Sequence, residues 1–486
     1  MISIEVVNFA YIIACFTFIM GIKYLGKPAT AVKGNYISMI GMAIAIVAVF
    51  FEYTGAADIT EMGIADKWNI DFMETGFLWS FAALALGSLI GLVWAKKVKM
   101  TGMPELVALF NGFGGLASAL VAFSQFYNFK EVGTAPDIVS AIAIGLTILI
   151  GTMCFSGSAI AWAKLSEKMT GRAIVFKGQH IINGTLFLAV LAGVVLYAMP
   201  NDIITPDVKM IVMLSMCAIS FIFGITFVIP IGGGDMPVVI SLLNSFSGLA
   251  AATTGFILEN TALIVSGCLV GASGIILTVI MCKAMNRSIG NLLFSGFGAK
   301  DTASSKGPGA EPKAISAEDA YLILESASSV VFIPGYGMAV AQAQHAVREL
   351  AEKLEDNGAE VSYCVHPVAG RMPGHMNVLL AEANIPYEGL KTMDEMNPSM
   401  PAQDVAIVIG ANDVVNPAAE TDESSPIYGM PIIKAHLAKT VFVLKRGKGK
   451  GFSGVENELF SMPNTLMIYG DAKATIMALG DQFSEE

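Results

Sequence analysis

The feature that most restricts the fold is a set of nine long apolar segments, all before residue 290. A helix needs about 20 mostly apolar residues to cross a bilayer, and only a helix or a closed barrel satisfies its backbone there. We therefore predict a bundle of nine transmembrane helices. Their predicted bounds are 4–22, 36–54, 76–95, 104–127, 137–162, 180–199, 208–230, 237–257 and 261–283.

The chain changes character after this bundle. Residues 298–309 are rich in glycine and serine, which predicts a flexible linker, and the remainder has the mixed composition of a water-soluble domain. We predict a transmembrane domain at 1–290, a linker at 291–315 and a soluble domain at 316–486.

Charge and cysteine usage exclude some classes of site. The formal net charge of −11 argues against nucleic acid as a partner, because a phosphate-binding surface needs clustered cations. Five of the six cysteines lie in apolar segments and none forms a Cys-x-x-Cys pair. Small buried side chains are therefore a simpler interpretation than disulfides or metal ligands, and no metal site is predicted.

The loops between the predicted spans differ in charge. The first, third and fifth loops carry clusters of lysine and arginine, whereas the second, fourth and sixth carry one lysine each. The positive-inside rule places the odd loops in the cytoplasm. Nine spans then put the N-terminus outside and the soluble domain in the cytoplasm, in a protein of the inner (cytoplasmic) cell membrane.

A few polar side chains fall near the predicted membrane depth, where titratable groups often mark an ion path. The candidates for a proton path are Asn111, His180, Asp235 and Asn244. Asp235 also fits a helix N-cap ahead of Pro237, and Asn244 fits an interhelical hydrogen bond. His180 also fits an interfacial residue.

The C-terminal half alternates between apolar strands and helical segments, which predicts a Rossmann-like α/β domain with a doubly wound parallel sheet. The predicted strands are 329–334, 359–365, 404–409, 440–444 and 465–469. Polar or glycine-rich loops follow the last three strands at 410–413, 445–451 and 470–473. Ligands bind at the carboxyl ends of such strands.

The first of these strands leads into the segment Gly335-Tyr-Gly-Met-Ala-Val340. We predict a turn over these residues and a helix from Ala341 to about Asp356. Glycines in such a turn let the backbone approach a pyrophosphate group. Alanine or valine stands where a third glycine is usual, so the motif becomes specific only through its position between a strand and a helix.

Two loops bear on the choice of ligand. Lys445, Arg446, Lys448 and Lys450 suit a phosphate monoester such as the 2′-phosphate of NADP, although a solvated basic hairpin would have the same composition. His366 ends the second strand, where a carboxylate would bind a free ribose 2′-OH, and this favours NADP over NAD.

The segment Val368-Ala-Gly-Arg-Met-Pro-Gly-His375 follows the second strand. Arg371 could pair with a pyrophosphate. His375 could contact a ligand, but a surface histidine at the start of a helix is the simpler interpretation.

Several of these motifs together resemble the beta subunit of proton-translocating nicotinamide nucleotide transhydrogenase. In the soluble half they are 334–344, 368–377, 410–413 and 470–473. In the membrane half they are 103–107, 233–238 and 281–287. The resemblance covers nearly the whole chain.

The resemblance implies an NADP(H) site whose residues come from five loops. The pyrophosphate would be lined by Gly335, Tyr336, Gly337, Met338, Ala339 and Val340, and covered by Ala369, Gly370 and Arg371. Asn412 and Asp413 would lie near the nicotinamide, with Asp413 as the candidate catalytic residue. Lys445 and Arg446 would hold the 2′-phosphate, and Asp471 and Ala472 the adjoining ribose region.

The resemblance also implies the reaction and the partner. NAD(H) would bind a separate alpha subunit, hydride would pass from NADH to NADP⁺, and protons entering the cytoplasm would drive it. The assembly would be a dimer of alpha–beta units in the lipid bilayer. Hydride transfer between two nicotinamides needs close approach of the rings and exclusion of water, rather than a nucleophile or a metal.

One position departs from the family pattern. Several members carry a histidine of the proton path where this chain has Asn111, which cannot titrate near neutral pH. A helix of the alpha subunit could supply the titratable group, or Asp235 and His180 could suffice with water.

Two other functions are compatible with a membrane bundle joined to a dinucleotide domain. An NADP-regulated transporter or channel would need no hydride chemistry and no NAD(H)-binding partner. A quinone-linked dehydrogenase fits less well, because the sequence shows no flavin or iron–sulfur motif.

Overall fold

The computed structural model describes residues 4–26, 28–55, 70–98, 102–132, 136–171, 173–200, 203–285, 290, 311–372, 374–423, 425, 427–447 and 455–483. Most of the predicted linker, at 291–310, lies outside these residues, as do Lys448 and Lys450 of the basic loop.

Within the described residues, nine helices are long and apolar enough to cross a membrane, which confirms the predicted class of fold. They are α1 Ile4–Leu25, α2 Pro28–Gly55, α3 Ile70–Lys97, α4 Met103–Val132, α5 Ile138–Leu165, α6 Gln179–Ala198, α7 Pro206–Val228, α8 Met236–Ile257 and α9 Thr261–Ala284. Several extend beyond the predicted ends, because helical hydrogen bonding continues past the apolar residues into polar ones such as Lys130 in the last turn of α4.

Small residues bring the transmembrane helices close together. A Cβ atom on Gly115 of α4 would lie 2.7 Å from the carbonyl oxygen of Gly151 in α5. A Cβ atom on Gly267 of α9 would lie 2.7 Å from the carbonyl oxygen of Gly248 in α8. At these positions only hydrogen fits, so the glycines serve backbone-to-backbone packing in lipid.

Backbone proximity divides the chain into two compact units. The first comprises residues 1–158, 184–224 and 243–273. The second comprises residues 159–183, 225–242 and 274–486. It contains the C-terminal domain and the end of α9. It also contains residues 159–183, called here the α5–α6 segment, which run from the end of α5 into α6, and residues 225–242, which join α7 to α8.

In the described C-terminal residues, seven parallel strands form one sheet in the order β1-β7-β6-β5-β2-β3-β4. The strands are β1 Lys313–Ala314, β2 Ser329–Pro334, β3 Glu360–Val365, β4 Leu390–Thr392, β5 Val405–Ile409, β6 Thr440–Lys445 and β7 Thr465–Tyr469. The five predicted strands are present, and the short edge strands β1 and β4 complete the sheet.

The order of the strands creates a switch point between β2 and β5. From β2 the chain proceeds outward to β3 and β4, and it then returns to build β5, β6 and β7 on the other side. All five residues of β5 are buried, as expected for a central strand covered on both faces. The loops that leave β2 and β5 therefore meet at the edge of the sheet where doubly wound folds bind ligands.

The described helices of this domain are α10 Ala317–Glu325, α11 Tyr336–Ala341, α12 Gln344–Asp356, α13 His375–Glu382, α14 Met393–Met396, α15 Ala418–Thr421 and α16 Ala472–Gln482. The predicted turn at 335–340 is largely the short helix α11. That helix stops because Gln342 adopts a left-handed conformation with φ of 49°. Neither glycine nor proline marks this break, so the sequence predicted one helix starting at Ala341.

We predict that Gly337→Ala destabilises the C-terminal domain. A Cβ atom there would lie 2.7 Å from the Cα atom of Gly410, and the backbone must shift to admit it. Overpacking of this kind costs about 1–3 kcal/mol. Gly389→Ala is the control, since its Cβ atom would meet Tyr363 at an ordinary 3.7 Å. Limited proteolysis of the purified chain should show faster cleavage within 316–486 for Gly337→Ala only, and equal rates would contradict this account.

Candidate functional site

The ends of neighbouring strands are joined by backbone hydrogen bonds. The Gly335 N–H donates to the carbonyl oxygen of Ile409 at 2.9 Å, and the Gly337 N–H donates to that of Gly410 at 2.9 Å. These bonds tie the turn after β2 to the loop after β5. Gly410 has φ of 62°, a conformation in which an L side chain would be strained.

The same edge continues across β6 and β7. The Gly410 N–H donates to the carbonyl oxygen of Leu444 at 3.3 Å, and the Gly470 N–H donates to that of Lys445 at 3.1 Å. The loops after β2, β5, β6 and β7 therefore form one continuous rim. Four of the five predicted cofactor-binding loops are brought together here.

The residues predicted to line the pyrophosphate differ in which of their atoms a ligand could reach. Met338 and Ala339 are fully buried, so their side chains belong to the core and leave only their backbone for a ligand. Val340 is 39% exposed, and Tyr336 is half-buried.

Two buried histidines shape the loop after β3, which carries Ala369, Gly370 and Arg371. His366 Nδ1 accepts the Val368 N–H at 3.2 Å. His375 Nδ1 accepts the Arg371 N–H at 3.0 Å. Gly370 has φ of 106° and lies so close to His375 that no side chain would fit there.

His375 is not a surface residue, as had been the simpler interpretation. It does begin helix α13, but it is only 1% exposed. Burial, and then the nearby Arg371 guanidinium, lower the pKa of His375 from 6.5 to about 4. Burial also lowers the pKa of His366. Both imidazoles are therefore neutral at neutral pH and act as hydrogen-bond acceptors for the loop.

Arg371 connects this loop to two other parts of the second unit. Its guanidinium carbon lies 4.5 Å from the centre of the Tyr336 ring, in the turn after β2. Its terminal nitrogens donate to the carbonyl oxygen of Leu165 at 2.9 Å and to a carboxylate oxygen of Glu167 at 2.9 Å. The arginine predicted to cover the pyrophosphate thus lies over the predicted pyrophosphate turn.

The loop after β5 is held by a residue that the sequence did not indicate. Asn457 is 8% exposed, and its Nδ2 atom lies 2.9 Å from the carbonyl oxygen of Asn412 and 3.0 Å from its side-chain oxygen. Asp413 then begins a short 3₁₀ helix, Asp413–Val415. A single asparagine 45 residues away along the chain carries no recognisable pattern, and only the fold brings it to Asn412.

The first two residues of the basic loop lie at the same rim. Lys445 is half-buried, with its ammonium group 4.5 Å from the centre of the Phe460 ring. Burial lowers the pKa of Lys445, and the nearby Asp413 carboxylate opposes this shift. Arg446 is exposed. The Lys445 amine and an exposed guanidinium therefore lie beside the loop of Asn412 and Asp413.

Asp471 and Ala472 open helix α16 after β7. The Asp471 side chain caps this helix by accepting the N–H groups of Lys473 at 3.1 Å and Ala474 at 3.2 Å. Ala472 is 7% exposed. Their contact with a ribose stays a prediction.

Asn111 lies in a polar cluster within the first unit. Its Nδ2 atom donates to the Ser158 hydroxyl at 3.1 Å, and its Oδ1 atom lies 2.6 Å from the Ser247 hydroxyl. The same Ser247 hydroxyl is 2.8 Å from the carbonyl oxygen of Asn244, whose side chain is exposed. Asn111 thereby joins α4, α5 and α8 through groups that can relay hydrogen bonds.

The other two candidates for the proton path belong to the second unit. His180 is half-buried in the first turn of α6. Asp235 ends the 3₁₀ helix Gly233–Asp235 directly before α8, and Gly232 takes the N-cap position of that 3₁₀ helix. Their role in proton movement stays a prediction.

Among the residues that the structure covers, no group of three or more histidine, cysteine, aspartate or glutamate side chains could hold a metal ion.

We predict that the loop at 366–375 loses stability as the pH falls from 6.5 towards 4. The pKa of His375 is 6.5 in the unfolded or opened loop and about 4 in the folded loop. Between these pH values only the open form binds a proton, which favours opening. This pKa shift corresponds to a loss of at most about 3 kcal/mol in the free energy of opening the loop. Amide-exchange protection, corrected for intrinsic rates, should decrease over this range. His375→Asn keeps an acceptor without a titrating group, and it should make the profile shallower, leaving the part due to buried His366. An unchanged profile in that variant would contradict the assignment.

The sequence is similar to known proteins over nearly its whole length. A model of the NAD(P) transhydrogenase beta subunit family matches residues 7–482. The protein named NAD(P) transhydrogenase subunit beta from Rhodospirillum rubrum is 46% identical over 471 residues, covering 96% of each chain. A protein of the same name from a strain of that organism matches equally well. With its transmembrane helices and parallel-sheet domain, the chain belongs to the NAD(P) transhydrogenase beta subunit family.

Proposed function

We propose that this chain binds NADP(H) at the switch-point rim and, with an NAD(H)-binding alpha subunit, couples hydride transfer from NADH to NADP⁺ to proton movement across the membrane. The observation that carries the proposal is the rim itself. It brings the predicted residues of the β2, β5 and β6 loops together on a chain of this family.

The shape of the rim fits a dinucleotide pyrophosphate. Gly335 and Gly337 lie against the backbone of Gly410 and Ala411, where side chains would collide. These glycines let the two loops pack backbone against backbone, and a dinucleotide lying across the switch point would pass over this turn. Arg371, already over Tyr336, would supply a guanidinium to cover them.

The 2′-phosphate would distinguish NADP(H) from NAD(H). Lys445 and Arg446 follow β6 at the same rim, and a phosphate monoester favours such paired cations. Asp413 is close enough to Lys445 to influence its pKa, which supports the proposal that the cations and the nicotinamide end belong to one site.

Bound NADP(H) would supply the hydride chemistry. The protein would orient the nicotinamide and exclude water from it. Asn412 and Asp413 are the residues proposed for the nicotinamide end, where Asn457 holds Asn412 in place.

Proton movement would use polar groups at membrane depth. The cluster of Asn111, Ser158 and Ser247 can pass hydrogen bonds but carries no group that titrates near neutral pH. Asp235 and His180, with water, or a helix of the alpha subunit, would supply the titrating group. The proposed assembly is a dimer of alpha–beta units in the inner membrane, with domain 316–486 in the cytoplasm.

An assay in sealed vesicles tests this function. Vesicles that contain the chain and an NAD(H)-binding alpha subunit should form NADPH from NADH and NADP⁺ faster when a pH gradient drives protons towards the C-terminal domain. Chain and partner assayed separately should be inactive. NADPH binding without any NADPH formation by the pair would instead support the NADP-regulated transporter.

We predict that Arg446→Ala weakens NADPH binding by about 10- to 140-fold, because a hydrogen bond to a charged group contributes about 1.5–3 kcal/mol. Lys439→Ala is the control. Lys439 precedes β6 whereas Arg446 follows it, so the control substitution removes a cation from the opposite end of the same strand. Calorimetric titration of the purified chain should separate the two variants. Equal affinities for both would remove Arg446 from the site.

We predict that Asn457→Asp weakens NADPH binding several-fold, since it removes the amide donor to Asn412. The aspartate retains the oxygen that accepts the Leu459 N–H, so the local 3₁₀ helix remains capped. Asn464→Asp is the matched control, because it loses two similar bonds, to the carbonyl oxygens of His436 and Ala438. If both variants bind NADPH like the wild type, Asn457 does not position the site.

A further inference from the structure

The α5–α6 segment contains a glutamate in an unfavourable backbone conformation. Glu167 has φ of 59°, the left-handed region in which non-glycine residues are uncommon. Its side chain is 77% exposed, yet its carboxylate lies 2.9 Å from Arg371. A residue held in strained backbone geometry often has a functional reason to be there.

Arg371 is shared between this segment and the nucleotide-binding domain. One terminal nitrogen donates to the carbonyl oxygen of Leu165, which is 3% exposed, and the other pairs with Glu167. The planar guanidinium also stacks over Tyr336 of the turn after β2. The group proposed to cover the pyrophosphate is therefore also held by a segment that includes the end of transmembrane helix α5.

The α5–α6 segment is in turn fixed to the residues that precede Asp235. Lys164 is 3% exposed and donates to the carbonyl oxygens of Ile229 at 2.6 Å and Ile231 at 2.7 Å, just beyond the end of α7. The Gly233 N–H donates to the carbonyl oxygen of Gly171 at 2.7 Å. A connected series of contacts thus runs from the 3₁₀ helix that contains Asp235 to Arg371.

We propose that Glu167 competes with the phosphates of NADP(H) for Arg371, and so lowers the affinity of the intact chain for the cofactor. This inference rests on the proposed NADP(H) site. Glu167 acts on the ligand through Arg371 and is a positioning residue.

Electrostatics gives the direction of the effect. A pyrophosphate drawn to the guanidinium takes hydrogen-bond donors that the Glu167 carboxylate now accepts, so the two anions compete for one cation. Binding of the phosphates therefore weakens the Arg371–Glu167 pair. Because linkage is reciprocal, holding that pair weakens NADP(H) binding by the same factor. Cofactor binding and the attachment of the α5–α6 segment would then oppose each other.

The test is calorimetric titration of the full chain in lipid nanodiscs with NADPH. Glu167→Gln keeps the side-chain shape and removes the charge, and it should bind NADPH about two- to five-fold more tightly than the wild type, the range expected for a largely exposed ion pair. Glu167→Gly also removes the carboxylate and suits the left-handed backbone, so it should show the same direction.

Glu259→Gln is the matched control. Glu259 is another exposed glutamate with a left-handed backbone, φ of 53°, in the turn between α8 and α9. It should leave NADPH affinity unchanged. The Arg371→Ala protein should itself bind NADPH more weakly than the wild type. Adding Glu167→Gln to it should cause no further change in affinity.

Three results would overturn the inference: unchanged or weaker binding by Glu167→Gln, an equal gain in Glu259→Gln, or a gain that persists without Arg371. Failure of the wild type to bind NADPH would instead refute the proposed function, and the inference with it. The two failures are therefore distinguishable in one set of titrations.

Discussion

The close approach of two backbone turns at the switch point between β2 and β5 is the constraint on which the candidate site depends. Gly337 donates to Gly410, and neither position leaves room for a side chain. Because the sheet reverses its order here, the loops that leave its central strands are forced into contact. The β6 and β7 loops then attach through Gly410 and Gly470, so one geometric requirement assembles the rim that we propose for NADP(H).

Much of the fold could be predicted because its signals are local. Nine apolar segments of membrane length indicate nine helices, and five apolar strands ending in polar loops indicate a doubly wound sheet. The break at Gln342 could not be predicted, because glutamine carries no preference for a left-handed backbone. His375 was misplaced for a related reason: a helix start indicates position along the chain but not burial, and the loop after β3 folds over its imidazole.

The site residues that escaped prediction act across long sequence separations. Asn457 reaches Asn412, Ser247 reaches Asn111, and Glu167 reaches Arg371, each joined only by the tertiary fold. Isolated asparagines, serines and exposed glutamates are common, so no spacing singles them out. In the membrane half, Asn111 lies among hydroxyl and thiol groups. We therefore expect the titrating group of the proposed proton path to come from elsewhere.

The central claim is that separate loops at one sheet edge form a single cofactor site. Amide-exchange mass spectrometry of the full chain, with and without saturating NADPH, tests it most directly. The account predicts added protection in the peptides that contain residues 335–341, 366–375, 410–415 and 445–447, with NADH giving little at equal concentration. Protection confined to other parts of the chain, or none despite measurable binding, would contradict it.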